Sequence, residues 1–189
     1  MEIEIIMGIV LGACALLAGI IILWYIVTLN SFRKMCIKIN ESASSIDVAL
    51  TKRYNVLAKM LAIYKNYAKN EQEALAKIIE LRQPGPSSRI VDKSIFSSQM
   101  IEAMQELYFL SEKYPQLKAN KTFAHLQKAA IEVEENLQAA RRFYNGNVRI
   151  YNQKVALFPS NLVARQRGFK PEEFFEADEV KPQKEETKN

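Results

Sequence analysis

At 189 residues the chain has room for one modest domain with appendages, and six glycines and six prolines against abundant Ala, Leu, Ile, Lys and Glu predict an all-α protein. Cys14 and Cys36 stand too far apart along one helix to bridge, which excludes a disulfide framework. The net charge of +5 is uneven: residues 30–171 carry 23 Lys/Arg against 12 Asp/Glu, a net +11, and residues 172–189 carry 3 against 7, a net −4. The basic side chains are scattered singly over helical faces, so a solvated surface is expected and a nucleic-acid partner is not.

Residues 1–4 form a short N-terminus whose only charges are Glu2 and Glu4. Residues 5–29 are 25 positions without a charge, closed by Trp24 and Tyr25 near the far end. At ~1.5 Å per residue such a helix covers ~37 Å, enough for a ~30 Å hydrocarbon core with some tilt, so one transmembrane helix is predicted. A cleaved signal peptide needs a basic start, which is missing. "LGAC" (Leu11–Cys14) is a weak lipobox, because a further apolar run follows Cys14. Arg33, Lys34 and Lys38 crowd the C-terminal flank, which predicts the N-terminus outside and the rest of the chain in the cytoplasm. Gly8, Gly12, Ala15 and Gly19 share one side of the span and offer a candidate face for helix–helix approach in a homo-oligomer.

Residues 30–175 are expected to form a helical bundle domain, and residues 176–189 a disordered acidic tail. The apolar stripe Ile39, Ala43, Ile46, Leu50, Tyr54, Leu57, Leu61, Tyr64 and Ala68, continued by Leu75 and Ile78, predicts a helix from about 32 to 82 that prolongs the membrane helix. "PGPSS" (Pro84–Ser88) breaks it. A second helix is expected over about 94–113. After "KYPQLKAN", Asn120 is the predicted cap of a third helix over about 121–157. Pro159 stops that helix, Ser160 is the expected cap of a short one, and Gly168 ends it. Phe169, Phe174 and Phe175 are expected to fold back onto the bundle. The predicted architecture is therefore a transmembrane helix continuing into a long antiparallel bundle of three long helices, with short C-terminal helices and coiled-coil-like seams.

Within the third helix, "RFYNGNVRIYN" repeats Arg-x-Tyr-Asn after seven residues: Arg142, Tyr144 and Asn145, then Arg149, Tyr151 and Asn152. Seven residues are about two turns, so each pair shares a face. "KRYN" supplies Arg53, Tyr54 and Asn55 on the first helix. These residues, with Asp47, Glu71, Arg141 and Arg142, form the predicted polar seam, whose buried hydroxyls and amides need partners and so fix how the helices align. Gly146 costs ~1 kcal/mol of helix stability relative to Ala and is expected to permit close packing.

These segments resemble the LemA family of bacterial membrane proteins. "SSIDVALTKRYNVLAKML", "YAKNEQEAL", "YPQLKANKTFAHLQ", "ARRFYNGNVRIYNQKVALFPSNLVARQRGF" and "EFFEADE" carry the likeness, in order, over nearly everything after the span. The resemblance implies a single N-terminal membrane helix, a long α-helical bundle, a bacterial inner-membrane location and no established enzymatic activity. Ala58 stands where many relatives have proline, and Gly146-Asn147 where they carry small or acidic residues.

No phosphate loop, nucleophile elbow or Cys–His pattern is present. His125 is the single histidine, and Thr122 stands where a di-metal bundle would place a glutamate. No catalytic set, metal or cofactor is expected. The expected role is a non-enzymatic scaffold in contact with membrane lipid and assembling with itself. The alternative is a tethered adaptor for a protein partner or anionic lipid.

Overall fold

The computed structural model describes residues 1–67, 81 and 83–176. Among the described residues five helices follow in order: α1 (Glu2–Lys65), α2 (Ile90–Glu112), α3 (Pro115–Lys118), α4 (Lys121–Ala156) and α5 (Ser160–Arg167). Among the described residues there is no strand. The chain divides into two compact units, one of Met1–Asn40 with Asn147–Glu172, the other of Glu41–Gly146 with Glu173–Asn189.

In the first unit, α1 exposes its apolar residues from Ile3 to Leu23. Burial begins at Thr28 and Phe32. Phe32 stacks on Phe169 at 4.8 Å and meets the edge of Tyr151 at 6.0 Å. The Lys154 ammonium lies 5.4 Å from the Phe32 ring centre and bonds Ser31 Oγ. Arg167 Nε donates to the Tyr25 hydroxyl at 2.7 Å. Val163 and Ala164 of α5 are buried. Gly168 closes α5 in the left-handed region (φ 72°), where Phe169 N–H returns to the Ala164 carbonyl at 3.0 Å.

The core of the second unit is built from Ile46, Leu50, Leu57, Met60, Tyr64, Met100, Leu107, Leu117, Phe123 and Leu137. Here α1 and α4 run antiparallel, because Arg53 pairs with Glu134 while Tyr67 meets Asn120. By contrast α1 and α2 run in the same direction: Asp47 pairs with Lys93, Tyr54 lies by Phe96, and Tyr64 meets Tyr114 just beyond α2. A long antiparallel bundle was expected; within this unit α4 runs antiparallel to α1 and α2 runs parallel to it.

The end of α1 also differs from expectation. The apolar stripe predicted one helix to about residue 82, yet α1 ends at Lys65, and Asn66 and Tyr67 close three-residue turns onto Ile63 and Tyr64. A periodic stripe reports which face is buried, not that the helix is unbroken, and asparagine turns without help from Gly or Pro. Residues 68–80 and 82, including Ala68, Glu71, Leu75 and Ile78, lie outside the described residues, as does the tail from residue 177.

Several helix ends match the sequence. Asn120 Oδ1 accepts from the N–H groups of Thr122 and Phe123 at 2.9 and 3.1 Å, as an N-cap should. α4 runs through Gly146 without a break. A Cβ at Gly146 would meet nothing within 4 Å, so this glycine permits no close approach, contrary to expectation. Ser160 does not cap α5 either: its hydroxyl donates backwards to the carbonyls of Lys154 and Leu157, at 2.7 and 3.0 Å, satisfying the end of α4.

Candidate functional site

The most specific geometry belongs to the repeated asparagines of α4 and the extended segment after Gly168. In the second unit, Asn145 Nδ2 donates to the Phe175 carbonyl at 3.0 Å, and Phe175 N–H donates back to Asn145 Oδ1 at 2.9 Å. The Tyr144 hydroxyl donates to the Glu173 carbonyl at 3.0 Å. In the first unit, Asn152 Nδ2 donates to the Glu172 carbonyl at 2.9 Å, and Glu172 N–H donates to Asn152 Oδ1 at 2.8 Å. Each carboxamide therefore grips both backbone groups of one extended residue, as a neighbouring strand would.

This geometry gives the seven-residue repeat a physical basis. Seven helical residues are about two turns and advance about 10.5 Å at ~1.5 Å each, so Asn145 and Asn152 present the same carboxamide on the same face of α4. The partners of the seam amides are thus an extended backbone rather than a second helix. Phe175 is 2% exposed beneath the clamp, with the Arg141 guanidinium 5.2 Å from its ring centre. Phe174, next to it, stays outward at 43% exposure. Arg142 and Arg149 are exposed.

Tyr151 is buried and hydrogen-bonded to Cys36. Burial, then the neighbouring Cys36 and Glu172, push its phenol up to about 12. Burial likewise raises the Cys36 thiol, so it is a poor nucleophile.

The remaining seam residues are held apart in two ion pairs. Asp47 pairs with Lys93 at 2.7 Å, and Lys93 Nζ also donates to the Pro86 carbonyl at 3.1 Å. Arg53, only 6% exposed, faces Glu134 at 2.8 Å. Burial lowers the pKa of both Arg53 and Arg141, with Glu134 opposing the shift in each. Lys93 and Glu134 were not singled out in the sequence; both lie at helical spacing from buried neighbours, but nothing local marks the partner. Tyr54 is half-buried and Asn55 exposed. Arg53, Glu134, Ile101, Met104, Tyr108 and Ile131 border an open groove of about 530 Å³.

Among the described residues no group of three or more His, Cys, Asp and Glu side chains is placed to hold a metal ion. His125 is exposed on α4. Gly8, Gly12 and Gly19 have open space where a Cβ would stand. Also among the described residues, α1 is the one helix long and apolar enough to cross a membrane.

Comparison with known proteins adds the following. A family model described as "LemA family" matches residues 42–188. "Protein LemA" of Metamycoplasma hominis is 30% identical over 165 residues, 86% of this chain and 75% of that protein. "Magnetosome protein MamQ 2" of Paramagnetospirillum magneticum is 30% identical over 74 residues, 39% of this chain but 27% of that protein. "Magnetosome protein MamQ" of Magnetospirillum gryphiswaldense is 26% identical over 73 residues, with the same coverage.

Proposed function

This chain belongs to the LemA family, and from that premise we propose that it is a membrane-anchored, non-enzymatic helical scaffold that assembles with itself and carries its bundle domain in the cytoplasm. The observation that supports the anchor is the exposed apolar length of α1. From Ile3 to Leu23 its large side chains stand 55–78% exposed, whereas Phe32, Ile39, Ile46 and Leu50 farther along the same helix are buried. A contiguous apolar surface of that extent exceeds what soluble monomers expose and matches a hydrocarbon environment. Arg33, Lys34 and Lys38 support the cytoplasmic side for residues beyond the span. The open side of Gly8 and Gly12 offers a packing face to a second span.

The full-length chain in mild detergent should run as a homo-oligomer by light scattering, and Gly8→Leu with Gly12→Leu should reduce its mass. A strict monomer would remove the scaffold. In intact cells a membrane-impermeant maleimide should label Glu2→Cys and spare Lys170→Cys; the reverse pattern would overturn the orientation. A second reading, a tethered adaptor for a protein partner or anionic lipid, rests on the charge split between the +11 body and the −4 C-terminal stretch. Deleting residues 176–189 should then strip a captured partner; an unchanged partner set would take the tail out of that reading.

A further inference from the structure

In the first unit, the corner between α4 and α5 stands where α1 leaves the membrane. Arg167 of α5 donates to the Tyr25 hydroxyl, Thr28 is buried, and Lys154 of α4 donates to Ser31 Oγ. Those contacts run along α1 from Tyr25 to Ser31, most of the way inside the uncharged run. The run covers ~37 Å and a hydrocarbon core takes ~30 Å of it, so about five residues are left over at ~1.5 Å each. Trp24 and Tyr25 mark the aromatic belt, which puts that excess, residues 25–29, in the headgroup zone. Whatever packs against those residues shares their depth.

The corner suits that place. Leu157, Phe158 and Leu162 are 62%, 78% and 54% exposed, although Val163 and Ala164 beside them are buried. The backbone, by contrast, is served from within. The Ser160 hydroxyl donates to the carbonyls of Lys154 and Leu157, Asn161 N–H returns to the Leu157 carbonyl at 2.9 Å, and Pro159 has no N–H to desolvate. The surroundings are basic: residues 30–40 and 147–172 hold eight Lys/Arg against one acid, Glu172. Arg165 is exposed three residues after Leu162, on the same face of α5. Anionic headgroups attract such a surface, and a long basic side chain keeps its charge at the phosphates while its stem lies among acyl carbons.

We propose that this corner is a second membrane contact. Leu157, Phe158 and Leu162 enter the headgroup–acyl boundary of the bilayer that α1 spans, and Arg165 pairs with a phospholipid phosphate. The contact rests on the membrane-anchor reading above and adds to it: it fixes the roll of this unit against the bilayer, which one spanning helix leaves free.

Trp24 is the single tryptophan, so quenching by brominated lipid reads depth directly. The full-length protein is placed in vesicles of phosphatidylglycerol and phosphatidylethanolamine with bromines at the upper acyl carbons. Native Trp24 should be quenched. In a Trp24→Phe background, the Phe158→Trp probe should lose a comparable share of its emission. Ile150→Trp should lose little, because its neighbour Tyr151 is level with Phe32 and Cys36, beyond the span. Both probe positions are exposed, so the melting temperatures should match that of the native chain. Adding Arg165→Gln should shrink the loss at the Phe158→Trp probe; an unchanged loss would remove Arg165 from the contact. A corner probe that emits as in water overturns the contact and leaves the anchor standing. So does one shifted to the blue yet untouched by bromine, which would put a second copy of the chain over the corner. An unquenched Trp24 overturns the anchor, and the contact with it.

Discussion

The two copies of Arg-x-Tyr-Asn are the same in sequence and unlike in structure. Both asparagines seize an extended residue by its N–H and C=O. Around the first copy the gripped residue is Phe175, whose ring is buried against the protein. Around the second it is Glu172, whose side chain is exposed. The tyrosines differ as well: Tyr144 continues the grip on the segment through Glu173, whereas Tyr151 turns to Cys36 and Phe32. A repeat therefore fixes which backbone is held, and the held residue's own side chain decides how much the hold contributes.

That difference can be broken from the strong side first. Phe175→Ala should destabilise the folded chain by about 3 kcal/mol, seen in urea unfolding, since a buried aromatic is lost and a cavity left. Asn145→Ala should cost about 2 kcal/mol, because two part-buried backbone groups lose their partner, and hydrogen exchange at the Phe175 amide should rise. The tyrosines sharpen the contrast through pH. Tyr151 holds its proton to about 12 when folded, above the ordinary value of 10. Its share of stability is therefore complete below pH 10 and is lost as pH climbs through 12, once the unfolded phenol ionises and the folded one resists. Tyr151→Phe should flatten that part of the stability profile. Asn152→Ala should cost about 1 kcal/mol, its bonds being exposed to water. Arg142→Gln and Arg149→Gln should each stay within about 0.5 kcal/mol, because exposed side chains free of such contacts carry little. Equal losses at Asn145 and Asn152 would remove the asymmetry.

Local chemistry was legible in the sequence. The uncharged run, the Asn120 cap, the end of α5 at Gly168 and the continuity of α4 through Gly146 all follow from residues within a turn or two of where they act. Partnership at a distance was not. Nothing near Asn152 names Glu172, and nothing near Arg53 names Glu134, because those pairings arise only once separate elements pack. The end of α1 escaped for a related reason. A stripe of apolar residues carries no mark of where its helix stops, so the end of α1 at Lys65 was invisible. Ser160 looked like a cap by its type and position, but its hydroxyl found nearer acceptors behind it.

The clamps touch main-chain atoms alone, and this shapes how the segment can vary over generations. Exchanging Glu172 or Glu173 for another residue able to extend leaves both grips intact, with proline at 172 excluded because its N–H is required. A single inserted or deleted residue between 172 and 175 is another matter. It would change which residue Asn145 meets and carry the phenylalanine out of its seat. Spacing is the inherited quantity here, and spelling between the anchor points is free to drift.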